Sequence, residues 1–271
     1  MELIDIGANL THDSFSHDLD QVIQHAIAAQ VSQIVVTGTN IEHSRRAADL
    51  SRQYAGKLFA TAGIHPHAAN TISDVSEGEL RALLATPEVV AVGECGLDYF
   101  RDFVPRSVQH TAFERQLELA GATKKPVFLH QRDAHADFLA VMRQFEGRLG
   151  PAVVHCFTGT SKELSSYLDR GWFIGLTGWL CDERRGAHLR SLVRHIPSDR
   201  LMLETDAPYL LPRTLHPRPP NGRNEPCFLR HLLEEVAKER HASPEEIGEQ
   251  TTRVARSFFG LPPGLNGCPL K

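Results

Sequence analysis

The chain has 271 residues, of which 41% are hydrophobic and 23% are charged, and its net charge is −4. This composition excludes a disordered or collagen-like chain, and the acidic balance argues against a surface that is cationic all over and binds nucleic acid along its length. The length allows one large domain or two small ones.

Eight short apolar runs recur along the sequence, on average about 28 residues apart. Each run is too short for a helix and is typical of a buried strand, and the spacing leaves room for a crossover helix after each one. The predicted strands are 3–6, 33–36, 58–62, 89–93, 126–129, 152–154, 172–176 and 201–203.

Helical patterns fill the gaps between these strands, and Ser161 and Asp182 are expected to cap two of the helices. Strands alternating with helices predict an α/β protein, a (β/α)8 TIM barrel, as one domain over 1–261 with a frayed tail at 262–271. A loop rich in proline and glycine at 208–226 is expected near the active site. The predicted helices are 18–29, 41–54, 108–123, 134–145, 162–170, 183–195, 225–241 and 244–258.

Polar residues follow four of the predicted strands: Glu94, His130, His155 and Asp206. Because the reactive groups of such barrels lie at the carboxyl ends of the strands, these four side chains are expected to meet at one mouth. Two imidazoles and two carboxylates suit a divalent ion such as Mg²⁺, Mn²⁺ or Zn²⁺. The alternative is four hydrogen-bonded core residues, each with its own partner.

The five cysteines form no Cys-x-x-Cys motif, which favours a reducing compartment and hence the cytoplasm. Cys95 and Cys156 directly follow inward-facing residues, so strand alternation predicts that they point away as buried, inert thiols. The acidic start of the sequence does not resemble a signal peptide, and no apolar run is long enough to span a membrane.

Further candidates lie in loops at the same mouth. His65 and His67 could bind metal, donate a proton to a leaving group or hydrogen-bond a phosphate, or they could be incidental in a proline-stiffened loop. Arg132 is placed to bind a phosphate, with pairing to Asp133 or Glu94 as the alternative.

The loop after strand eight adds Arg223 and Asn224, which could hold a polar substrate. Four aromatic residues that follow strand ends are candidates for stacking against nucleotide bases. They are Tyr99, Phe100, Trp179 and Tyr209.

Several motifs in the same order resemble the TatD family of metal-dependent deoxyribonucleases, over about residues 1–260. They are GECGLD at 93–98, VFLHQR at 127–132, HCFTG at 155–159 and ETDAPYL at 204–210, with GIHPH at 63–67 and RNEP at 223–226. Most family members carry His-x-His after the first strand, where this chain has Gly7-Ala8-Asn9.

The resemblance implies Glu94, His130 and His155 around one ion, first of all Mg²⁺, with Asp206 as a further ligand or as the base that deprotonates water. The missing His-x-His leaves open whether one or two ions bind.

The resemblance also implies a 3′-5′ exonuclease acting on the ends of single-stranded DNA or RNA, as a monomer, in DNA repair or nucleic-acid degradation. Two alternatives are a hydrolase of another ester or amide on the same barrel, and a non-catalytic barrel that binds nucleic acid or protein.

Overall fold

The structure is a computed structural model that describes residues 1–264. In these residues the fold is built on eight parallel strands. Each strand pairs with the next one along the chain. The strands are β1 (Leu3–Ala8), β2 (Val31–Val36), β3 (Leu58–Ala62), β4 (Val89–Asp98), β5 (Val127–Arg132), β6 (Ala152–Val154), β7 (Phe173–Leu176) and β8 (Leu201–Leu203).

Two backbone hydrogen bonds join the first strand to the chain that leaves the last. The amide of Asp206 donates to the carbonyl of Gly7 at 2.8 Å, and the amide of Asn9 donates to the carbonyl of Ala207 at 2.7 Å. These bonds hold the chain that leaves β8 against β1, so the barrel is nearly closed and the predicted (β/α)8 fold is confirmed.

Helices connect and cover the strands, as the crossover rule requires. They are α1 (Leu19–Ala28), α2 (Ile41–Gln53), α3 (Asp74–Leu84), α4 (Arg106–Thr123), α5 (His135–Arg143), α6 (Ser161–Leu168), α7 (Ala187–Val193), α8 (Leu229–Arg240) and α9 (Pro244–Phe259).

Helix α3 has no counterpart among the predicted helices. It buries only Ser76, Leu80 and Leu84, and the glycine inside it lowers its helix propensity, so its sequence favours a helix less strongly. Its start is fixed by a capping box in which Ser73 and Ser76 exchange hydrogen bonds.

Neither predicted residue caps its helix. Helix α6 is capped by Thr160, one residue earlier than expected, in a capping box with Glu163. The Asp182 carboxylate accepts hydrogen bonds from the amides of Arg184 and Arg185, at 3.0 and 3.3 Å. These hydrogen bonds hold residues 182–185 in a turn, so Asp182 does not cap a helix, and α7 begins at Ala187.

The barrel interior is filled at its amino end. Ile6, Phe128 and Met202 from the strands pack in one cluster with Phe258 and Phe259 of α9. Helix α9 thereby covers this end of the barrel, and reactive groups are expected at the opposite end, where the strands finish.

Leu261 belongs to this cluster, and the carbonyl of Pro262 accepts a hydrogen bond from the Gln33 side chain at 3.0 Å. Most of the predicted tail, 265–271, lies outside the described residues, so the boundary at 261 stays a prediction. Over residues 1–264, no helix is both long enough and apolar enough to cross a bilayer.

Candidate active site

A cavity of about 700 Å³ opens at the carboxyl end of the barrel, within the size range of ligand clefts. Arg132 lies in a smaller adjoining cavity above the ends of β5 and β6. Six of the nine predicted site residues line the larger cavity: His65, His67, Glu94, His130, His155 and Asp206.

Glu94, on β4, is the centre of this cluster. Its Oε1 atom lies 2.7 Å from His130 Nδ1, 2.7 Å from His155 Nε2 and 3.3 Å from His65 Nε2. Burial opposes ionisation of the carboxyl, but the charge of His155 and the hydrogen bonds from His130 and His155 hold the pKa of Glu94 well below its usual range. The barrel therefore holds an ionised carboxylate among three imidazoles.

Two of these imidazoles, those of His130 and His155, each face a further buried carboxylate in addition to Glu94. His130 Nε2 lies 3.4 Å from Asp98 Oδ2, an ion-pair distance without hydrogen-bond geometry. His155 Nδ1 lies 3.4 Å from Glu204 Oε2. A histidine that binds a metal through one ring nitrogen usually directs the other towards a carboxylate, carbonyl or water. Glu94, His130 and His155 therefore fit a metal ion in both donor type and surroundings.

The ligand atoms of His65, Glu94 and His130 lie within 4.8 Å of one another, so His65 belongs to a possible metal group as well. However, His65 Nδ1 accepts the amide hydrogen of His67 at 3.0 Å. Burial also lowers the pKa of His65 to about 4, so the ring is neutral at pH 7 and its single N–H lies on Nε2. This tautomer favours a hydrogen-bond donor over a metal ligand.

Asp98 is a site residue that the sequence analysis missed. Its Oδ2 atom pairs with His67 Nε2 at 2.8 Å, and Oδ1 accepts the amide of Arg101 at 2.8 Å. Burial opposes ionisation, but the neighbouring imidazoles of His130 and His67 lower the pKa of Asp98. The period of two along a strand could have found it, since Asp98 follows Glu94 by four positions on the same face of β4.

Asp206 lies just beyond β8, where Asn9 Nδ2 donates to its Oδ1 atom at 2.9 Å. Burial raises the pKa of Asp206 to about 7, against the opposing charge of His155 and with that of Glu94 reinforcing the shift. A carboxyl that titrates near neutral pH can exchange protons under physiological conditions. Asn9 holds it from the position where the family resemblance leads one to expect histidine.

Glu204 is the second missed residue and is fully buried inside the barrel. A Cβ atom on Gly175 would lie 2.6 Å from its Oε1 atom, and one on Gly7 would overlap its Oε2 atom. The amide of Cys156 donates to Oε1. Glycines on both strands that flank β8 thus make room for this carboxylate, and their pairing around Glu204 is the signal that could have found it.

The two cysteines beside the site differ. Cys95 is buried in the core between sheet and helices, as predicted. The prediction that Cys156 points away is wrong, because it lines the large cavity. Strand β6 ends at Val154, so alternation does not extend to Cys156, which has a left-handed backbone (φ 46°). Burial and nearby Asp206 raise its pKa well above the usual range, so the thiol stays protonated.

The remaining predicted residues divide into two kinds. Within the described residues no carboxylate lies at ion-pair distance from Arg132, so neither Asp133 nor Glu94 pairs with it; its Nη1 donates to Thr158 Oγ1 at 3.3 Å. Arg132 therefore keeps most of its N–H donors available.

Arg223 and Asn224 lie outside the cavity lining. Arg223 forms hydrogen bonds to Asp18 at 2.6 and 3.0 Å and to Glu225 at 2.7 Å. Asn224 Nδ2 donates to the carbonyls of Thr205 and Tyr209, at 2.9 and 2.7 Å. Both residues are occupied in fixing the loop after β8 in place.

Asp5 is a buried carboxyl on β1, outside the cavity lining. Its titration is expected to make the free energy of unfolding depend on pH. It accepts hydrogen bonds from the amide and hydroxyl of Thr205, at 3.0 and 2.5 Å. Burial raises its pKa to about 7, although these hydrogen bonds oppose the shift. Between about pH 4 and 7 the folded state therefore holds a proton that the unfolded chain has lost, and the free energy of unfolding falls as pH rises.

We expect Asp5→Asn to remove this slope, because an amide keeps the shape without an ionisable group. The variant should gain stability relative to wild type by roughly 4 kcal/mol between pH 4 and pH 8. Urea unfolding of both metal-free proteins at the two pH values measures the difference. An equal gap at both values would show that Asp5 titrates normally.

Comparison with known proteins places the chain in a family. A family model described as TatD related DNase matches residues 4–260. The 3′-5′ ssDNA/RNA exonuclease TatD of Edwardsiella piscicida is 50% identical over 259 residues, covering 96% of this chain and 100% of that protein. The protein of the same name from Erwinia billingiae is 51% identical over 260 residues, with the same coverage.

Solved structures agree with the sequence matches. A TatD homologue from Escherichia coli K12 has a TM-score of 0.87 at 30% identity, covering 96% of this chain and 98% of that chain. A TatD family hydrolase from Entamoeba histolytica has a TM-score of 0.85 at 27% identity, with the same coverage. With its barrel and its carboxylate–imidazole cluster, the chain belongs to the family of TatD-related DNases.

Proposed function

We propose that this protein is a metal-dependent 3′-5′ exonuclease that hydrolyses phosphodiester bonds of single-stranded DNA and RNA. The observation that carries the proposal is the cluster of Glu94, His130 and His155 in the cavity at the carboxyl end of the barrel. Relatives about half identical to this chain are named 3′-5′ ssDNA/RNA exonucleases, which supports the same substrate class here.

Glu94, His130 and His155 are the residues we assign to the metal, with Asp206 as a further ligand or as the base. Mg²⁺ is our first choice, and Mn²⁺ or Zn²⁺ would suit the same nitrogen and oxygen donors. We assign one ion to this cluster, because the β1 side carries Asn9 where most of the family carries histidine. When bound, the ion lowers the pKa of water and neutralises charge that builds up on the phosphate.

The side chains around the cluster divide the remaining work. Asp206, with its pKa raised to about 7 by burial, accepts the proton of the attacking water. His65 and His67 donate hydrogen bonds to phosphate oxygens as negative charge accumulates there. Asn9 holds the Asp206 carboxylate, while Glu204 and Asp98 orient the two ligand imidazoles.

The shape of the cavity favours a strand end. Helix α9 and the packed strands close the barrel from below, so a chain that enters the mouth cannot pass through. A terminal nucleotide fits a cavity of about 700 Å³. The net charge of −4 agrees with contacts limited to a few nucleotides.

The decisive experiment compares single strands labelled at the 3′ end or the 5′ end, with Mg²⁺ and with EDTA. We expect stepwise loss of nucleotides from the 3′ end in Mg²⁺ and none in EDTA. A circular single strand of the same composition should stay intact, because it has no end. Cleavage that survives chelation, cleavage of the circle, or turnover of small carboxylic esters but not of oligonucleotides would overturn the proposal.

We also propose that the protein acts as a monomer in the cytoplasm, in repair or degradation of nucleic acids. Among the described residues, two of the five exposed large hydrophobic side chains, Phe103 and Tyr209, line the cavity, and a third, Phe100, follows the carboxyl end of β4. Size-exclusion chromatography with light scattering should therefore give a mass near 30.1 kDa. A concentration-independent dimer would contradict this.

A further inference from the structure

A row of alternating arginines and aromatic rings leads away from the cavity. The Arg132 guanidinium lies 4.8 Å from the ring centre of Phe100 and 5.5 Å from that of Trp179. Each ring also has a second arginine beside it. Arg101 lies 5.7 Å from the ring centre of Phe100, and Arg185 lies 5.7 Å from that of Trp179. We call these five residues the shelf: Arg101, Phe100, Arg132, Trp179 and Arg185.

The position of the shelf connects it to the site. Arg101 lines the large cavity, so the row begins there. Arg132 follows the metal-site residue His130 by two positions on β5, so both side chains point to the same face of the strand. Trp179 and Arg185 follow β7. The shelf therefore runs from the cavity across the ends of β4, β5 and β7, on the side opposite Asn9.

The charges of the shelf are available to a ligand. In the described part of the chain, none of its three arginines has a carboxylate at ion-pair distance, and Arg132 is held only by Thr158. Elsewhere, Arg148 and Arg200 also lie over aromatic rings, but each is paired with a carboxylate, at 3.1 and 2.9 Å. Phe100 is 57% exposed, which is a large apolar surface to leave in water.

Cations that alternate with the exposed ring of Phe100 and the partly exposed ring of Trp179 match the alternating phosphates and bases of a single strand. Each base has a flat face that stacks on any aromatic ring, and each phosphate accepts hydrogen bonds from a guanidinium, so no base sequence is selected. A protein or a lipid surface offers no such alternation of stacking faces and negative charges.

We propose that the nucleotides preceding the 3′-terminal one run along the shelf, with bases stacked on Phe100 and Trp179 and phosphates bound by Arg132 and Arg185. This rests on the proposed function, which places the terminal nucleotide in the cavity. The shelf then sets a minimal footprint of about four nucleotides, at the low end of single-strand sites. Affinity rises with length up to this footprint and then levels off.

The first test uses Trp179 as its own reporter. The chain has two tryptophans, so Trp172→Phe leaves Trp179 as the only one. In EDTA, where no cleavage occurs, hexathymidylate should quench the remaining fluorescence, whereas thymidine 5′-monophosphate should not. Equal quenching by both, or no quenching by the hexamer while it binds, overturns the proposal.

The second test separates stacking from charge. By fluorescence anisotropy with labelled hexathymidylate in EDTA, Trp179→Leu should weaken binding about fivefold to a hundredfold without changing its salt dependence. Arg185→Gln should lower the slope of log affinity against log salt by about 0.7, the value for one phosphate contact on a single strand. Phe100→Leu is the second stacking variant, because an exposed ring can be removed without loss of the fold.

Arg200→Gln is the matched control: it removes an arginine stacked over Phe173, just before β8 at the closed end of the barrel. It should bind hexathymidylate as wild type does. If wild type degrades 3′ ends in Mg²⁺ but the shelf variants bind like the control, the shelf proposal fails alone. If wild type neither binds nor degrades single strands, the proposed function fails with it.

Discussion

Replacing Glu94 by glutamine is expected to abolish metal binding and to lower kcat/KM for 3′-end hydrolysis by a thousandfold or more. Among residues 1–264, Glu94 supplies the only carboxylate oxygen that lies 2.7 Å from both His130 Nδ1 and His155 Nε2. A metal contributes several kcal/mol of charge stabilisation in the transition state, and about 4 kcal/mol corresponds to a factor of 10³. Glutamine keeps the size and one acceptor oxygen, so the fold should survive.

Calorimetric titration with Mn²⁺ and the end-labelled assay measure the two losses independently. Glu79→Gln is the control, since it removes a carboxylate from a surface ion pair with Arg45, at 2.7 Å, and should change neither. His155→Ala should reproduce the loss of metal binding. Retention of Mn²⁺ affinity in Glu94→Gln would remove Glu94 from the proposed ligand set, whatever the activity.

The fold could be predicted because its signals are local. Buried strands of a parallel sheet appear as short apolar runs, and helices fill the spaces between them, so both can be counted without knowledge of long-range contacts. The convergence of Glu94, His130 and His155 follows from the same count, since strand ends in a barrel meet at one face. The same rule predicts Asp206, which follows the eighth strand, at this mouth.

What the sequence did not reveal depends on contacts between distant segments. The space for the Glu204 side chain comes from Gly7 and Gly175 on the two flanking strands, and these positions are far apart in the sequence. Arg223 looked like a substrate ligand because its pairing with Asp18 spans 205 residues of sequence. The orientation of Cys156 depends on where β6 stops, and the ends of elements are the least predictable feature of a sequence.

Gly96 is expected to be the least replaceable glycine near the site. It lies on β4 with φ +149°, a conformation that residues with a Cβ rarely adopt, and its Cβ would overlap the carbonyl oxygen of His130 on β5. This neighbour is backbone, so it cannot swing aside as a flexible side chain would. The strained conformation alone costs roughly 1–3 kcal/mol, and the overlap adds to it by forcing β5 away from β4.

Gly96→Ala should therefore lower the free energy of unfolding by more than 3 kcal/mol and also weaken Mn²⁺ binding, because any shift of β5 moves His130 relative to Glu94. Gly78→Ala is the matched control: it lies in α3 with open space around the new Cβ, and alanine should stabilise the helix by up to about 1 kcal/mol. Urea unfolding of both variants, with Mn²⁺ titration of the folded fraction, measures the contrast. Equal stabilities would mean that β4 and β5 can separate at His130 without cost, and the close approach of these strands would then no longer explain how the imidazole is held against Glu94.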